Sequence, residues 1–198
     1  SHYTYQETGK NLVHSNFLHS LLLDHSGNVW VGSEFAGVTL LSVLSEGSYR
    51  IYPEHESVND YVNAIRTVVK MPDGGFWFGT RQGNVYAYDK NLEAASCYKM
   101  PYNYIYAASC DGDGKLWLGT RTMGLCIDGR WYHKMAGDTL SLAHENIFDI
   151  YRDDKNRMWI GTFGGGLNLA VSRKDRYVFR KFLTGSGRLQ EVRMITQD

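Results

Sequence analysis

Apolar residues in this chain recur in short runs, separated by turns rich in glycine, asparagine and aspartate, and this pattern predicts β-strands. One run is repeated four times as a turn followed by Trp-x-Gly-(Thr/Ser), with its tryptophan at Trp30, Trp77, Trp117 and Trp159. These tryptophans lie 47, 40 and 42 residues apart. A strand-rich repeat of about 40 to 50 residues is typical of propeller blades.

Each tryptophan strand is apolar on both of its faces. Tryptophan and the glycine two residues later share one face, as Trp30 with Gly32, Trp77 with Gly79, Trp117 with Gly119 and Trp159 with Gly161. The other face carries Val31, Phe78, Leu118 or Ile160. A strand of this kind is expected between packed layers. The glycine, which has no side chain, is expected to let a neighbouring blade approach closely.

The turn before each tryptophan strand also repeats. The position three residues before the tryptophan holds Gly27, Gly74, Gly114 or Asn156, and these residue types tolerate positive φ better than the others. The position six residues before it holds aspartate in three copies but Met71 in the second. One hairpin geometry is therefore predicted for all four copies.

The sequence as a whole predicts an all-β fold, a β-propeller of about four four-stranded antiparallel blades at approximately 17–52, 62–100, 105–135 and 147–183. Residues 2–6 are interpreted as the outer strand of a preceding blade, and residues 189–197 as the inner strand of a further one. Since these two segments supply only two of a blade's four strands, we expect an arc of a larger ring of about seven blades. The apolar faces of the end blades then predict self-association.

The composition of the chain argues against a few classes of function. The 198 residues carry 21 basic and 21 acidic side chains, a balance that argues against a nucleic-acid surface. No apolar run approaches the roughly 18 residues of a membrane helix, so no membrane contact is expected. Cys97, Cys110 and Cys126 lack metal-ligand spacing and are expected to be small buried hydrophobes, with a disulfide between two of them as the alternative. No catalytic motif, metal site or cofactor is predicted.

The loops after the tryptophan strands and the loops between blades open on one rim of a propeller, which we take as the default ligand face. The residues there differ between copies while the framework repeats, and aromatic and arginine side chains suit sugar rings. Ordinary surface loops are the alternative interpretation. The candidate rim residues are Glu34, Phe35, Tyr61, Arg81, Gln82, Tyr102, Tyr104, Arg121, His144 and Phe163.

Two segments, Asp24–Ser33 and Asp153–Asn168, resemble two-component regulator propeller repeats, and residues 137–142 are similar to the linker between blades in that family. The resemblance implies a non-catalytic, periplasmic segment of a hybrid two-component sensor, whose parent is a histidine kinase of the inner membrane. It also implies an oligosaccharide or another nutrient as the ligand, and the rest of the parent sensor as a partner. The second copy departs from the family pattern at Met71.

Two other functions remain open. A propeller lyase resembling virginiamycin B lyase, which has a similar Asp-x-x-Gly-x-Val-Trp turn, would need a histidine and acidic groups converging on the channel. His19 and His144 are the available candidates, and an inner-strand histidine without an adjacent carboxylate would count against this function. A protein-interaction propeller of the WD or kelch kind is the third hypothesis, although the sequence signatures of both are missing.

Overall fold

The computed structural model describes residues 15–42, 47–53, 63–101, 104–182 and 190–197. Within them, the chain forms four four-stranded antiparallel sheets, in each of which every strand pairs with the next one in sequence. The predicted fold class, an all-β fold built of propeller blades, is confirmed. The strand expected at residues 2–6 lies outside the described residues, as do Tyr61 and Tyr102.

The strands of each blade run from the inner to the outer edge in chain order. Blade 1 contains β1 (Leu18–Leu23), β2 (Val29–Ser33), β3 (Val38–Ser42) and β4 (Gly47–Ile51). Blade 2 contains β5 (Ile65–Lys70), β6 (Phe76–Thr80), β7 (Asn84–Tyr88) and β8 (Ala94–Lys99). Blade 3 contains β9 (Ile105–Cys110), β10 (Leu116–Thr120), β11 (Leu125–Ile127) and β12 (Arg130–Tyr132). Blade 4 contains β13 (Ile147–Arg152), β14 (Met158–Thr162), β15 (Leu167–Arg173) and β16 (Arg176–Phe182).

The segment expected to form a fifth inner strand is held differently. Residues 190–197 contribute one antiparallel bridge, between Glu191 and Phe163, rather than a continuous strand. Val192 N donates to Thr162 O at 3.0 Å, and Asp149 accepts a hydrogen bond from Ile195 N at 2.6 Å. A side-chain carboxylate thus replaces part of the backbone ladder that a regular strand would form.

The chain divides into two compact units, Ser1–Ile105 and Tyr106–Asp198. The core of the first unit is built around Trp30, Ile65 and Phe78, where Trp30 lies 4.0 Å from the Phe76 ring. The core of the second unit is built around Trp117 and Ile147, among other buried residues. Each core thus combines a tryptophan with the first residue of a following inner strand.

The glycine of the tryptophan strand is a close-contact position, as predicted. In the first unit, a Cβ built on Gly32 would lie 2.9 Å from Ile65 Cγ2. In the second unit, a Cβ on Gly119 would lie 2.5 Å from Ile147 Cγ2. Distances under 3.0 Å leave no room for a methyl group, so the inner strand of one blade packs directly on the backbone of the blade before it.

The repeated turns adopt the predicted backbone geometry. The residue three positions before the tryptophan has positive φ in all four copies, with values of 81°, 89°, 80° and 57° at Gly27, Gly74, Gly114 and Asn156. In three copies the leading aspartate also accepts a hydrogen bond from the indole Nε1–H, a role that the sequence pattern did not predict. These bonds are Trp30 to Asp24 (3.1 Å), Trp117 to Asp111 (3.0 Å) and Trp159 to Asp153 (2.9 Å).

Burial of the four indoles is uneven. Trp30 and Trp117 are 2% and 0% exposed, whereas Trp77 and Trp159 are half-buried. Trp77 belongs to the copy with Met71, which offers no carboxylate, and its indole stacks at 5.5 Å on Tyr98, itself an exposed residue. An aromatic residue of the blade's own outer strand therefore covers part of this indole.

The three cysteines are free. Cys110 and Cys126 are buried, as expected, and burial raises the pKa of the Cys126 thiol. Cys97 is exposed on β8, so the expectation of burial is wrong for this residue. Cys97 lies on β8, which is the last strand of its sheet and has a neighbouring strand on one side only, and its side chain is exposed although its cross-strand partner Tyr86 on β7 is buried.

Candidate functional site

The inner strands contain a repeated irregularity that positions side chains at one edge of the sheet. In blade 1, Leu18 pairs with Ser33 and Ser20 pairs with Gly32, so His19 has no partner in the ladder. The same register shift falls at Arg66 in blade 2, between Ile65 and Thr67, and at Phe148 in blade 4, between Ile147 and Asp149. A bulge of this kind redirects the side chain of the extra residue.

A second position lies next to each bulge. It is the fourth residue after the tryptophan, and its backbone N–H donates to the residue that precedes the inner strand. The bonds are Glu34 N to Phe17 O (3.0 Å), Arg81 N to Ala64 O (2.9 Å) and Phe163 N to Asn146 O (3.0 Å). Each of these blades therefore presents two adjacent side chains at this edge, one from the bulge and one from the loop after the tryptophan strand.

In the first unit these positions form a charged cluster, which we call the Glu34 cluster: His19, Glu34, Arg66, Arg81 and Tyr104. Glu34 is buried, at 8% exposure. Its carboxylate accepts a hydrogen bond from His19 Nε2 and another from Arg81 at 2.5 Å, and it pairs with Arg66 at 3.3 Å. Residues of two consecutive blades thus converge on one carboxylate.

Electrostatics keeps Glu34 ionised. Burial alone would raise the pKa of Glu34, but the hydrogen bond from His19, the positive charge of Arg66 and the hydrogen bond from Arg81 outweigh it, so the net shift lowers the pKa. Arg66 donates to His19 Nδ1 at 3.1 Å, and a guanidinium cannot accept. His19 Nδ1 is therefore an acceptor, and Nε2 carries the proton that is donated to Glu34.

Tyr104 completes the Glu34 cluster with an unusual backbone. Its φ is 73°, a conformation that costs a bulky residue about 1 to 3 kcal/mol. The Tyr104 N–H donates to Arg81 O at 2.8 Å, and the Arg81 guanidinium lies 5.7 Å from the centre of the Tyr104 ring. The strained backbone therefore holds an aromatic ring beside a guanidinium.

In blade 4, which belongs to the second unit, the bulge position and the loop position are both aromatic, as Phe148 and Phe163. The Phe148 ring lies 5.8 Å from Tyr106 in a stacked arrangement and 5.5 Å from Phe163 in an edge-to-face arrangement. Arg193 lies over Phe148 at 5.6 Å. Phe163 is 37% exposed, so this aromatic cluster reaches solvent.

Four further residues predicted for the rim, His144, Arg121, Phe35 and Gln82, do not belong to either cluster. His144 is half-buried, and its Nδ1 accepts from Asn146 N at 3.0 Å. Burial, followed by the charge of Lys134, lowers the pKa of His144. Arg121 is exposed, and Phe35 and Gln82 are half-buried.

Glu34, Arg81, Tyr104 and Phe163 were predicted as rim residues, and the structure brings the first three together. Arg66, Tyr106 and Phe148 were not predicted there. Their position in the sequence could have identified them, because each directly follows the apolar residue that begins an inner strand. His19 was a candidate only for the lyase function, and an inner-strand histidine without an adjacent carboxylate would have counted against that function. Glu34 lies beside His19, so this argument against a lyase does not apply.

Among residues 15–42, 47–53, 63–101, 104–182 and 190–197, no group of three or more His, Cys, Asp or Glu side chains is arranged to hold a metal ion. No helix in the same residues has the length and apolar character needed to cross a membrane.

The fold and the side-chain positions repeated at one edge of the blades define a chain of β-propeller blades. Comparison with known proteins shows which family has repeats of this kind. The model of the two-component regulator propeller family matches residues 99–122 and 141–164. The chain therefore carries two-component regulator propeller repeats, and the predicted resemblance is confirmed. The match falls in blades 3 and 4 and includes both of their tryptophan strands.

Among the most similar proteins is histidine kinase P4 of Formosa agariphila, which is 24% identical over 197 residues. The extracellular domain of a hybrid two-component system from B. thetaiotaomicron shares the fold with a TM-score of 0.69 and 22% identity over 89% of this chain. Virginiamycin B lyase from Staphylococcus aureus shares it with a TM-score of 0.64 and 12% identity over 85% of this chain.

These matches cover only parts of the longer proteins. The chain spans 14% of the length of histidine kinase P4, 24% of the two-component extracellular domain and 56% of the lyase. At these identities the two structural likenesses establish the fold alone.

Proposed function

We propose that this chain is a ligand-sensing propeller segment of a hybrid two-component sensor kinase, located on the periplasmic side of the membrane, and that it does not itself catalyse a reaction. The observation that carries the proposal is the pair of side-chain positions at one edge of the blades. Their residues differ from blade to blade, while the tryptophan and glycine framework repeats. A repeated scaffold with variable edge residues is a common way of building a binding surface.

The proposed ligand is an oligosaccharide or another nutrient. Aromatic rings provide stacking surfaces for sugar rings, and Tyr106, Phe148 and Phe163 form such a group in the second unit. Charged side chains provide directional hydrogen bonds, and the Glu34 cluster supplies them in the first unit. The aromatic group and the charged cluster both include a residue at the bulge position of an inner strand and a residue in the loop after a tryptophan strand.

The experiment is a calorimetric titration of saccharides into the complete extracytoplasmic region of the parent protein, followed by the same titration with single variants. F163A and R81A are expected to weaken binding at least tenfold. The exposed residue Lys155, in the turn at the other end of β13 and β14, provides the matched control K155A. Binding that is unchanged in both rim variants would refute the rim as the ligand surface.

A second candidate, a propeller lyase, is favoured by the contact between His19 and Glu34. A lyase needs a general base that reaches its substrate. Both ring nitrogens of His19 are already hydrogen-bonded, Nε2 to Glu34 and Nδ1 to Arg66, which supports a structural role. Incubation of the chain with virginiamycin B, monitored by chromatography, tests this candidate: loss of the intact compound in the wild type but not in H19A would establish lyase activity.

Self-association is the proposed behaviour of the isolated chain. The β1 strand of blade 1 exposes Leu21 and Leu23 at 70% and 71%, and Phe17 before it is 68% exposed. By contrast, Val68, which occupies the position of Leu21 in the inner strand of blade 2, is only 8% exposed. Contiguous apolar surface of this kind favours contact with a second copy of the chain.

A further inference from the structure

We propose that the Glu34 cluster binds an anionic substituent, a carboxylate or a sulfate ester, carried by a sugar ring. This inference rests on the proposed function, because it assigns a chemical class to the ligand of the same rim. It depends on the charge of the cluster, its exposure, and the position of the Tyr104 ring.

The first step is the charge of the cluster. Arg66 and Arg81 contribute two positive charges and Glu34 contributes one negative charge. The hydrogen-bond roles of His19 are those of a neutral imidazole, since Nδ1 accepts from Arg66. The cluster therefore carries a net charge of about +1 in a chain whose formal charge is +0.

The second step is access. The side chain of Glu34 is 10% exposed, that of Arg66 is 20% exposed and that of Arg81 is 31% exposed. The negative charge is thus the innermost group, and the positive charge lies toward solvent. Glu34 fixes the two guanidinium groups from behind, so they do not have to be ordered when a ligand binds.

The third step is the chemistry of recognition. A planar guanidinium pairs with a carboxylate or sulfate through charge and parallel hydrogen bonds. Tyr104 places an aromatic ring 5.7 Å from the Arg81 guanidinium, where it can stack on a ring that carries the anion. The positive φ of Tyr104 supports a role in binding, because strained backbone conformations of bulky residues cluster at ligand sites.

A purely structural ion-pair network linking blades 1 and 2 is the competing interpretation. It accounts for Glu34, Arg66 and Arg81 but not for the strained backbone of Tyr104. The two interpretations differ in what they predict for Arg81. A structural role predicts a loss of stability without ligand selectivity, whereas a binding role predicts a selective loss of affinity for anionic sugars.

The test uses the complete extracytoplasmic region of the parent protein and three probes. Oligogalacturonate carries carboxylates, chondroitin sulfate oligosaccharides carry sulfate esters together with carboxylates, and galacto-oligosaccharides are neutral. Calorimetric titration is expected to show at least tenfold tighter binding of an anionic probe than of the neutral one, and this preference should weaken as salt is raised. Binding of both anionic probes would indicate that a carboxylate is sufficient, and binding of the chondroitin sulfate probe alone would indicate that the sulfate is read.

The variants separate binding from folding. R81Q is expected to reduce affinity for the anionic probe at least tenfold and to abolish the preference over the neutral probe. Y104N removes the ring but keeps a residue that tolerates positive φ, and is expected to reduce affinity about threefold to tenfold. K155Q, at the exposed Lys155 in the turn at the other end of β13 and β14, is the control and should stay within twofold of the wild type.

Two results would overturn the inference. One is equal binding of anionic and neutral probes, and the other is unchanged anionic binding in R81Q. If the neutral probe binds and F163A abolishes that binding, the rim still senses saccharides and only the anionic assignment fails. If no probe binds and no rim variant changes kinase output in cells, the proposed function fails as well.

Discussion

The hydrogen bond between a turn aspartate and the indole is predicted to be a main stabilising element of each blade that has it. Asp111 is 5% exposed, and its carboxylate accepts three hydrogen bonds: from Trp117 Nε1 at 3.0 Å, Asp113 N at 3.0 Å and Lys115 N at 2.9 Å. Trp117 itself is 0% exposed, so water cannot replace the acceptor. We therefore expect the substitution D111N to destabilise the chain.

The magnitude follows from the bonds that each variant loses. In D111N the amide oxygen can still accept from the two backbone N–H groups of the turn, while the amide NH₂ faces the indole N–H as a second donor. Loss of one buried hydrogen bond to a charged acceptor costs about 1.5 to 3 kcal/mol. D111A loses all three bonds, but the turn is partly exposed and its N–H groups can bind water, so about 3 to 5 kcal/mol is expected.

The assay is thermal unfolding of the chain by calorimetry. For a protein of this size, a loss of 1 kcal/mol lowers the midpoint by about 2 to 4 °C, so D111N should lower it by about 3 to 12 °C. Asp113 lies in the same turn with a 77% exposed side chain, and D113N is the matched control, expected to change the midpoint by less than about 2 °C. If D111N unfolds at the same temperature as D113N, the carboxylate–indole bond contributes nothing and the reasoning is refuted.

Three further predictions concern packing, acid stability and association. G119A places a Cβ 2.5 Å from Ile147 Cγ2 and 2.8 Å from Ile147 Cβ, and should cost about 1 to 3 kcal/mol in chemical denaturation. In the I147G background, which removes both atoms, this cost should largely disappear, and equal costs in both backgrounds would argue against the contact. Burial would raise the pKa of Asp153, but the hydrogen bonds from Trp159 and Arg157 lower it to about 2. The stability that the ionised carboxylate provides above about pH 4 should therefore be lost as the pH falls from about 4 to about 2, and D153N should lose less stability over that window. An acid-unfolding profile of the wild type identical to that of D153N would contradict this prediction. The double variant L21E/L23E should shift the isolated chain from dimer to monomer in light scattering, and a wild-type monomer at high concentration would refute the proposed self-association.

Local sequence was enough to predict the strands and their turns. The predicted tryptophan strands are strands of the structure, as Trp30 in β2 and Trp117 in β10 show, and the positive φ of Asn156 was expected from its place in the repeat. These features depend on residues close together in the chain, namely alternating apolar positions and a hairpin turn of fixed length. The close contact at Gly119 was also predictable, because a glycine that recurs beside a tryptophan in an apolar strand indicates a position without room for a side chain.

The composition of the Glu34 cluster could not be predicted in the same way. Glu34 and Arg81 were placed on the rim, but the burial of Glu34 depends on His19 and Arg66, which come from inner strands of two different blades. The bulge that redirects His19 is a property of the pairing between β1 and β2. A register shift of one residue is set by tertiary packing and leaves no mark in the hydrophobic pattern of a single strand.

The bulge also explains why the rim can vary without loss of the fold. A residue inside the ladder, such as Ile65, has 0% exposure and packs on Gly32, so most replacements there would leave a cavity or a clash. The next residue, Arg66, lies outside the ladder and is constrained mainly by the side chains around it. The corresponding residue in blade 4 is Phe148, which shows that an arginine and a phenylalanine are both compatible with the same backbone. The side chain at a bulge position can therefore change while the tryptophan and glycine that hold each blade together stay the same.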